Sequence, residues 1–241
     1  MVRYTPGYLD RAEHVLRRLD LGVAYLQQVA KITMSVSAVV LPRELWEESG
    51  VSNPYGTPSV VGGSIIAVPA MGDRETVRLW KQWLGSELPE LKGRPLRGTA
   101  EGASSLALAD LLLQRDLAAM FVRRAGLAGT EPWIRGIMTH LSALTLFGRY
   151  EASRLLQIET VYGHMESHLP VLLEVAGDRD MQMERWLLTQ AGYFRGALTV
   201  FEAHKGKALK LALKATKKGE PLNRPTMLKL YPELGEWVAA L

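Results

Sequence analysis

The sequence predicts an α+β fold, with an N-terminal helix and a small mixed sheet followed by a mostly helical C-terminal half. Three observations carry this. An apolar period of three and four residues runs through Tyr8 to Ala30. Short β-branched, alternating segments occur only between residues 31 and 69. From Arg74 onward the patterning is helical, broken by proline and glycine. Strands and helices are segregated rather than alternating, which indicates α+β and not repeated βα units.

Each element follows from local chemistry. Leu9, Ala12, Leu16, Leu19 and Val23 give the first helix its apolar stripe. KITMSVSAVVL, Lys31 to Leu41, alternates and is rich in β-branched residues, so it reads as a strand. Pro42 opens a short helical turn that Gly50 closes. NPYGTPSVVGG is turn chemistry; SIIAVP, Ser64 to Pro69, is a second strand, and Val60-Val61 would pair with it in a hairpin across Gly62-Gly63. Helices are expected over Glu75–Leu84, Ala103–Ala125, Pro132–Phe147, Glu151–Val161, Pro170–Val175, Met181–Glu202, Lys207–Lys217 and Leu234–Leu241. Pro132 fits a first-turn position. The solidly apolar first half of Ala103–Ala125 predicts burial on most sides. The 241 residues form a single domain, with residues 1–102 as the helix-plus-sheet part and 103–241 as the helical part.

Composition narrows the functional classes. The chain has no cysteine, which removes disulfides, thiol catalysis and cysteine zinc sites, and fits a cytoplasmic, reducing location. No uncharged apolar run reaches about 18 residues, so no membrane span is expected. The N-terminus meets charge too early for a secretory signal. The formal net charge is +4 but unevenly spread: residues 203–230 hold eight lysines and arginines against the single acid Glu220. The basic character therefore belongs to the C-terminal part.

The order of elements, and the wording of KITMSVSAVVLPRELW, GTPSVVGGSIIAVPA, LADLLLQRDLAAMFVRRAG, EPWIRGIMTHL and LYPELGEWVAAL, resembles the gluzincin-type zinc metallopeptidases, in particular the compact peptidase-MA-like domains. The resemblance implies a zincin-like fold. In that family a helix carries His-Glu-x-x-His, whose two imidazoles bind one zinc while the glutamate serves as general base; a second helix gives the third ligand. Laid on LADLLLQRDLAAMF, the motif places Gln114 and Ala118 at the ligand positions and Arg115 at the base, with the third ligand near Arg135 and Gly136. Gln is a poor zinc ligand, Ala is none, and a guanidinium cannot accept a proton at neutral pH. The resemblance thus implies a catalytically inactive protein without a cofactor, binding a peptide or protein partner in the residual cleft between SIIAVP and the QRDLAAMF helix. The alternative is an unrelated helix in which Asp110, Arg115 and Asp116 form an ordinary surface charge set.

Two other constellations bear on function. Lys207, Lys210, Lys214 and Lys217 recur at three and four and form one cationic stripe, with Leu209, Ala212 and Leu213 turned inward. Such a stripe could neutralise nucleic-acid phosphates, though it lacks interleaved aromatics for base stacking. HMESH puts His164 and His168 at ligand spacing for a non-standard metal-dependent hydrolase, with His140 as a further histidine on a core helix. Gly163 and Pro170 bracket HMESH and predict a turn there. Ser104-Ser105 lacks a nucleophile-elbow phrase, and the glycines of VVGGS and EGAS have no phosphate-loop spacing. The six tryptophans sit in apolar phrases as anchors, and Tyr55, in the loop Asn53–Pro58, could border a cleft.

Overall fold

A computed structural model of the chain describes residues 1–85, 100–176 and 180–241. The Pro/Gly-rich connection expected from Leu88 falls mostly outside the described residues.

Four strands form one mixed sheet in the order β1-β2-β4-β3. β1 (Val2–Tyr4), β2 (Ser37–Leu41) and β4 (Ile65–Pro69) run parallel, and β3 (Ser59–Val61) is antiparallel to β4 at the edge. The β3–β4 connection is the hairpin expected from Gly62-Gly63: both glycines have positive φ, 58° and 78°, and Val61 pairs with Ile65. Alternation sorts the two faces of the sheet. Ala38, Val40, Ile66 and Val68 join the main core, whereas Val39, Leu41 and Ala67 meet Trp46 and Tyr55 on the other side.

α1 (Leu9–Ala30) lies on the main face through Ala12, Val15, Leu19 and Leu26. It stops at Lys31, whose φ of 57° and N–H bond to the Gln27 carbonyl end the helix left-handed. This turn, and the Gln27 side chain donating to the Met34 carbonyl at 3.2 Å, keep residues 32–36 out of the sheet. The strand expected from Lys31 begins only at Ser37, because the ladders to β1 and β4 begin there.

α2 (Arg43–Glu48) and α3 (Arg74–Leu84) flank the sheet; Asp73 caps α3 by accepting from the Thr76 N–H at 2.8 Å. The remaining elements among the described residues are helical, chiefly α4 (Ala100–Arg124), α5 (Pro132–Tyr150), α6 (Ser153–Ala176), α7 (Gln182–His204), α8 (Ala208–Lys217), α9 (Arg224–Leu230) and α10 (Gly235–Ala239). One cluster of buried apolar side chains extends from Ala12 to Val238 and takes in both the sheet and the helical half.

α6 corrects the sequence reading. The turn expected at HMESH and the two separate helices around it are one continuous helix, with Pro170 inside it. Ile158, Val161, Tyr162, Met165 and Leu169 recur at three and four and are buried, so packing holds the helix through the proline. β1 and α9 were not foreseen. β1 is three residues long, too short for a period; α9 carried a signal, since Asn223 accepts from the Thr226 N–H at 3.0 Å and Pro225 lies in the first turn.

Candidate functional site: a cleft beside the edge strand

The first half of α4 is buried on nearly every side, with Leu108, Leu111, Leu112, Leu113 and Leu117 all at most 5% exposed. Its polar residues therefore have only a few directions open to them. Gln114 faces α1, where its Nε2 donates to the Arg18 carbonyl at 3.4 Å, and Gly22 leaves it room. Ala118 is fully buried. Neither lines a cavity with Arg115. One step round the helix, Arg115, Ala119 and Arg123, four residues apart, line a cleft of about 490 Å³ together with Asp116.

The opposite walls come from three other elements. β3 contributes Ser59 and Val60 of the sheet edge, α5 contributes Arg135, Gly136 and Thr139, and α7 contributes Trp186, Gln190 and Tyr193. The structure thus brings Arg115, Arg135 and Gly136 together beside the edge strand and leaves Gln114 and Ala118 outside. Gly136 is there for close approach: a Cβ at this position would collide with the Tyr193 ring. Trp186, Gln190 and Tyr193 were missed as site residues by sequence reasoning, since α7 shows no distinctive phrase at those positions, and Asp116 was read only as a surface charge.

Both terminal nitrogens of Arg115 are engaged, while its buried Nε has no hydrogen-bond partner among the described residues. Its Nη1 donates to Asp116 Oδ1 at 2.7 Å, its Nη2 to Gln190 Oε1 at 2.8 Å, and its guanidinium lies 4.8 Å above the Trp186 ring. His140 approaches the same Gln190 oxygen from below, Nε2 to Oε1 at 3.2 Å, so that nitrogen carries the proton. The imidazole is sealed by Tyr162 and Phe194, both edge-on. Burial lowers the His140 pKa to about 3, with the Arg115 charge adding to it against the Gln190 bond, and the ring is neutral near pH 7. Burial raises the Asp116 carboxyl above its ordinary value despite Arg115. Arg123 and Arg135 are exposed and make no ion pair among the described residues. Three guanidiniums against one carboxylate make the cleft a positive site.

The charge set expected at the surface is in fact buried. Asp110, on α4, is 3% exposed and Asp116 6%. Asp110 meets Arg11 at 2.8 Å, His14 at 2.9 Å and Arg18 at 3.5 Å, all from α1. Arg18 also pairs with Glu151, which Arg154 holds at 2.8 Å. Burial alone would raise the Asp110 carboxyl, but the Arg11, His14 and Arg18 partners outweigh it and hold the group well below the usual carboxylate range. This network fastens α1 to α4.

The remaining predicted residues are dispersed. His164 is exposed on α6, and His168 rests against the Gly85 turn that ends α3. Among the described residues no group of three or more His, Asp and Glu side chains is arranged to hold a metal ion. Lys207, just before α8, and Lys210 and Lys214 on it are exposed while Leu209, Ala212 and Leu213 are buried, as the period requires. Lys217 is tied down, donating to the Ala30 carbonyl at the end of α1 at 3.1 Å. No helix among the described residues is long and apolar enough to cross a membrane. Comparison with family models, with curated proteins and with solved structures finds no match.

Proposed function

We propose that the chain binds an extended, acidic peptide segment in the cleft beside β3, on a zincin-like scaffold that has lost its hydrolytic centre. One observation carries the reading: an antiparallel edge strand borders a cleft whose rim holds two guanidiniums, Arg123 and Arg135, that form no close ion pair among the described residues. An edge strand offers a row of main-chain donors and acceptors to an added strand, while flanking side chains select what is added. Trp186 and Tyr193 supply apolar contact, and the arginines supply a preference for carboxylates.

The residues of α4 that meet the cleft at ligand spacing are Arg115 and Ala119, with Asp116 between them. This register is one residue beyond the overlay on Gln114 and Ala118, and it leads to the same chemistry. Neither side chain of the pair can donate electrons to a metal. The carboxylate that would serve as base is bonded to Arg115. An ion pair with its charges satisfied internally fills the position where hydrolysis would need an open coordination sphere, and binding is the function left to the cleft.

The test is a screen of extended peptides followed by fluorescence anisotropy. Acidic peptides should bind, Arg123→Glu with Arg135→Glu should weaken them at least tenfold, and N-methylation of alternate peptide nitrogens should do likewise. Both arginines are exposed, so these changes leave the core intact. Arg115→Glu is a poor probe because it would set two carboxylates side by side under Trp186. Failure of every acidic peptide to bind below millimolar concentration, or indifference to the double change, refutes the proposal.

A further inference from the structure

The lysines that precede and open α8 belong to a groove assembled from three separate parts of the chain. After α7 the backbone turns sharply at Lys205, whose φ of 51° and ψ of −139° lie where glycine is favoured, and a 3-10 turn over Lys205–Lys207 leads into α8. This turn faces the C-terminal ends of α1 and α5. Lys31, Arg149, Lys205, Lys207 and Lys210 thereby line one open groove of about 1020 Å³, with Tyr25 and Tyr150 between them.

No carboxylate lines this groove. Of those on the flanking segments, Glu151 pairs with Arg18 and Arg154, Glu233 pairs with His204 of the groove at 3.0 Å, and Glu202 is exposed beside Ala203. Part of the positive charge offsets helix ends. The C-termini of α1, α5 and α7 converge here and together carry roughly −1.5 charge, whereas the start of α8 adds about +0.5. Five cations exceed that need by about three to four charges. All five are exposed, so the excess is available to a ligand.

The ligand class follows from the aromatic pair. Tyr150 is 45% exposed, and its ring is braced edge-on by Tyr25 at a centroid distance of 5.6 Å. The cationic stripe of α8 has no aromatics of its own; the fold brings them from α1 and α5. A fixed, half-open ring among phosphate-binding cations is the arrangement that holds an unstacked base. A duplex would have no use for the ring, and a bilayer would find only Val29 and Ala203 to bury. We propose that this groove binds single-stranded nucleic acid without sequence preference, the five cations following the phosphates and Tyr150 stacking on a base.

Anisotropy of a labelled 20-nucleotide thymidine strand, measured between 50 and 200 mM salt, tests this. For five phosphate contacts the slope of log K against log salt should be about −3.5, falling to about −2 in Lys207→Gln/Lys210→Gln. Tyr150→Ala should weaken binding about tenfold without changing the slope, and Tyr150→Phe should restore it. Arg185→Gln, some 30 Å away toward the start of α7 by the helical rise, should leave both unchanged. No binding at 50 mM salt overturns the proposal. So does an equal loss with Arg185→Gln, equal affinity for duplex together with indifference to Tyr150→Ala, or binding to phosphatidylserine vesicles in place of the strand. Circular dichroism confirms that each variant is folded before it is scored.

Discussion

Acid should destabilise this protein through a histidine that never meets solvent. His140 is 1% exposed and faces Arg115 from α4, Tyr162 from α6, and Gln190 and Phe194 from α7, with Asp116 beyond Arg115. Its pKa is about 3 when folded, against 6.5 as the ordinary value. The unfolded chain therefore binds a proton on this ring that the folded chain refuses, throughout the window between those values. Stability rises with pH wherever the unfolded state holds more protons, so the contribution is complete above pH 6.5 and is lost as pH falls toward 3. At about 1.4 kcal/mol per pH unit, going from pH 7.5 to 4.5 should cost roughly 2 to 3 kcal/mol through this group alone. Asp116, raised by burial, acts in the opposite direction at the acid end, and Asp110, held low, loses its contribution only below the ordinary carboxylate range. Both are common to wild type and His140→Gln, a variant that keeps an N–H for Gln190 and does not titrate. Urea unfolding of the two proteins at pH 7.5, 6.0 and 4.5 isolates the histidine. Wild type should lose about 2 kcal/mol more than the variant. Parallel losses, or a His140 ring titrating above pH 6 by NMR, would refute the reasoning.

Three further outcomes follow from the geometry. Asp110→Asn should cost about 3 to 5 kcal/mol in urea unfolding, because it strands Arg11 and Arg18 in the interior, whereas Asp116→Asn should cost less, since only Arg115 pairs with it directly, Arg123 adds a weaker attraction, and burial already disfavours its charge. Equal costs would contradict this. Gly136→Ala should destabilise by about 1 to 3 kcal/mol by forcing Tyr193 off the α5–α7 seam, seen as a lower Tm with a changed near-UV spectrum. Lys205→Gly should raise stability by up to about 1 kcal/mol by relieving a conformation glycine tolerates, while weakening oligonucleotide binding through the lost cation. A fall in Tm would show that Lys205 makes contacts worth more than its strain.

Periodicity made the long elements legible. α1 and α3 each carry a stripe sustained over several turns, α4 and α5 hold long apolar runs, and the paired glycines 62 and 63 announced their hairpin. What was hidden depended on partners far along the chain. Residues 32–36 alternate like a strand but have no ladder to join, and α6 runs through Pro170 because its buried stripe, not its local propensity, decides. The acid in LADLLL did carry a signal. A carboxylate inside so apolar a run must be paired if the run is buried, and Arg11, His14 and Arg18 lie along α1 at spacings of three and four. The cleft register was harder to read. Gln114 and Arg115 are neighbours in sequence, yet one residue of helix is a turn of about 100°, enough to send one to α1 and the other to the cleft. On a helix apolar on all sides, nothing local distinguishes the two directions.

That division of α4 has a consequence for how the cleft is held. Asp110 and Asp116 are six residues apart, about 9 Å along the helix, and their carboxyls are shifted in opposite directions. Asp110 is met by Arg11, His14 and Arg18 of α1 and stays ionised, so it locks α4 against the sheet side of the molecule. Asp116 has one hydrogen-bonded cation, Arg115, which is also bound by Gln190 and stacked on Trp186, so α4 is joined to α7 through an arginine instead of through the carboxylate. On the reading proposed here, the Arg115 side chain takes over the structural task a bound cation would perform, bridging helices with positive charge at the floor of the cleft. Such a bridge is covalently part of the chain and cannot dissociate or activate water. The floor is held by contacts within the chain, and exposed positive charge lies at the rim, on Arg123 and Arg135, where an incoming carboxylate can reach it without breaking a hydrogen bond of the floor.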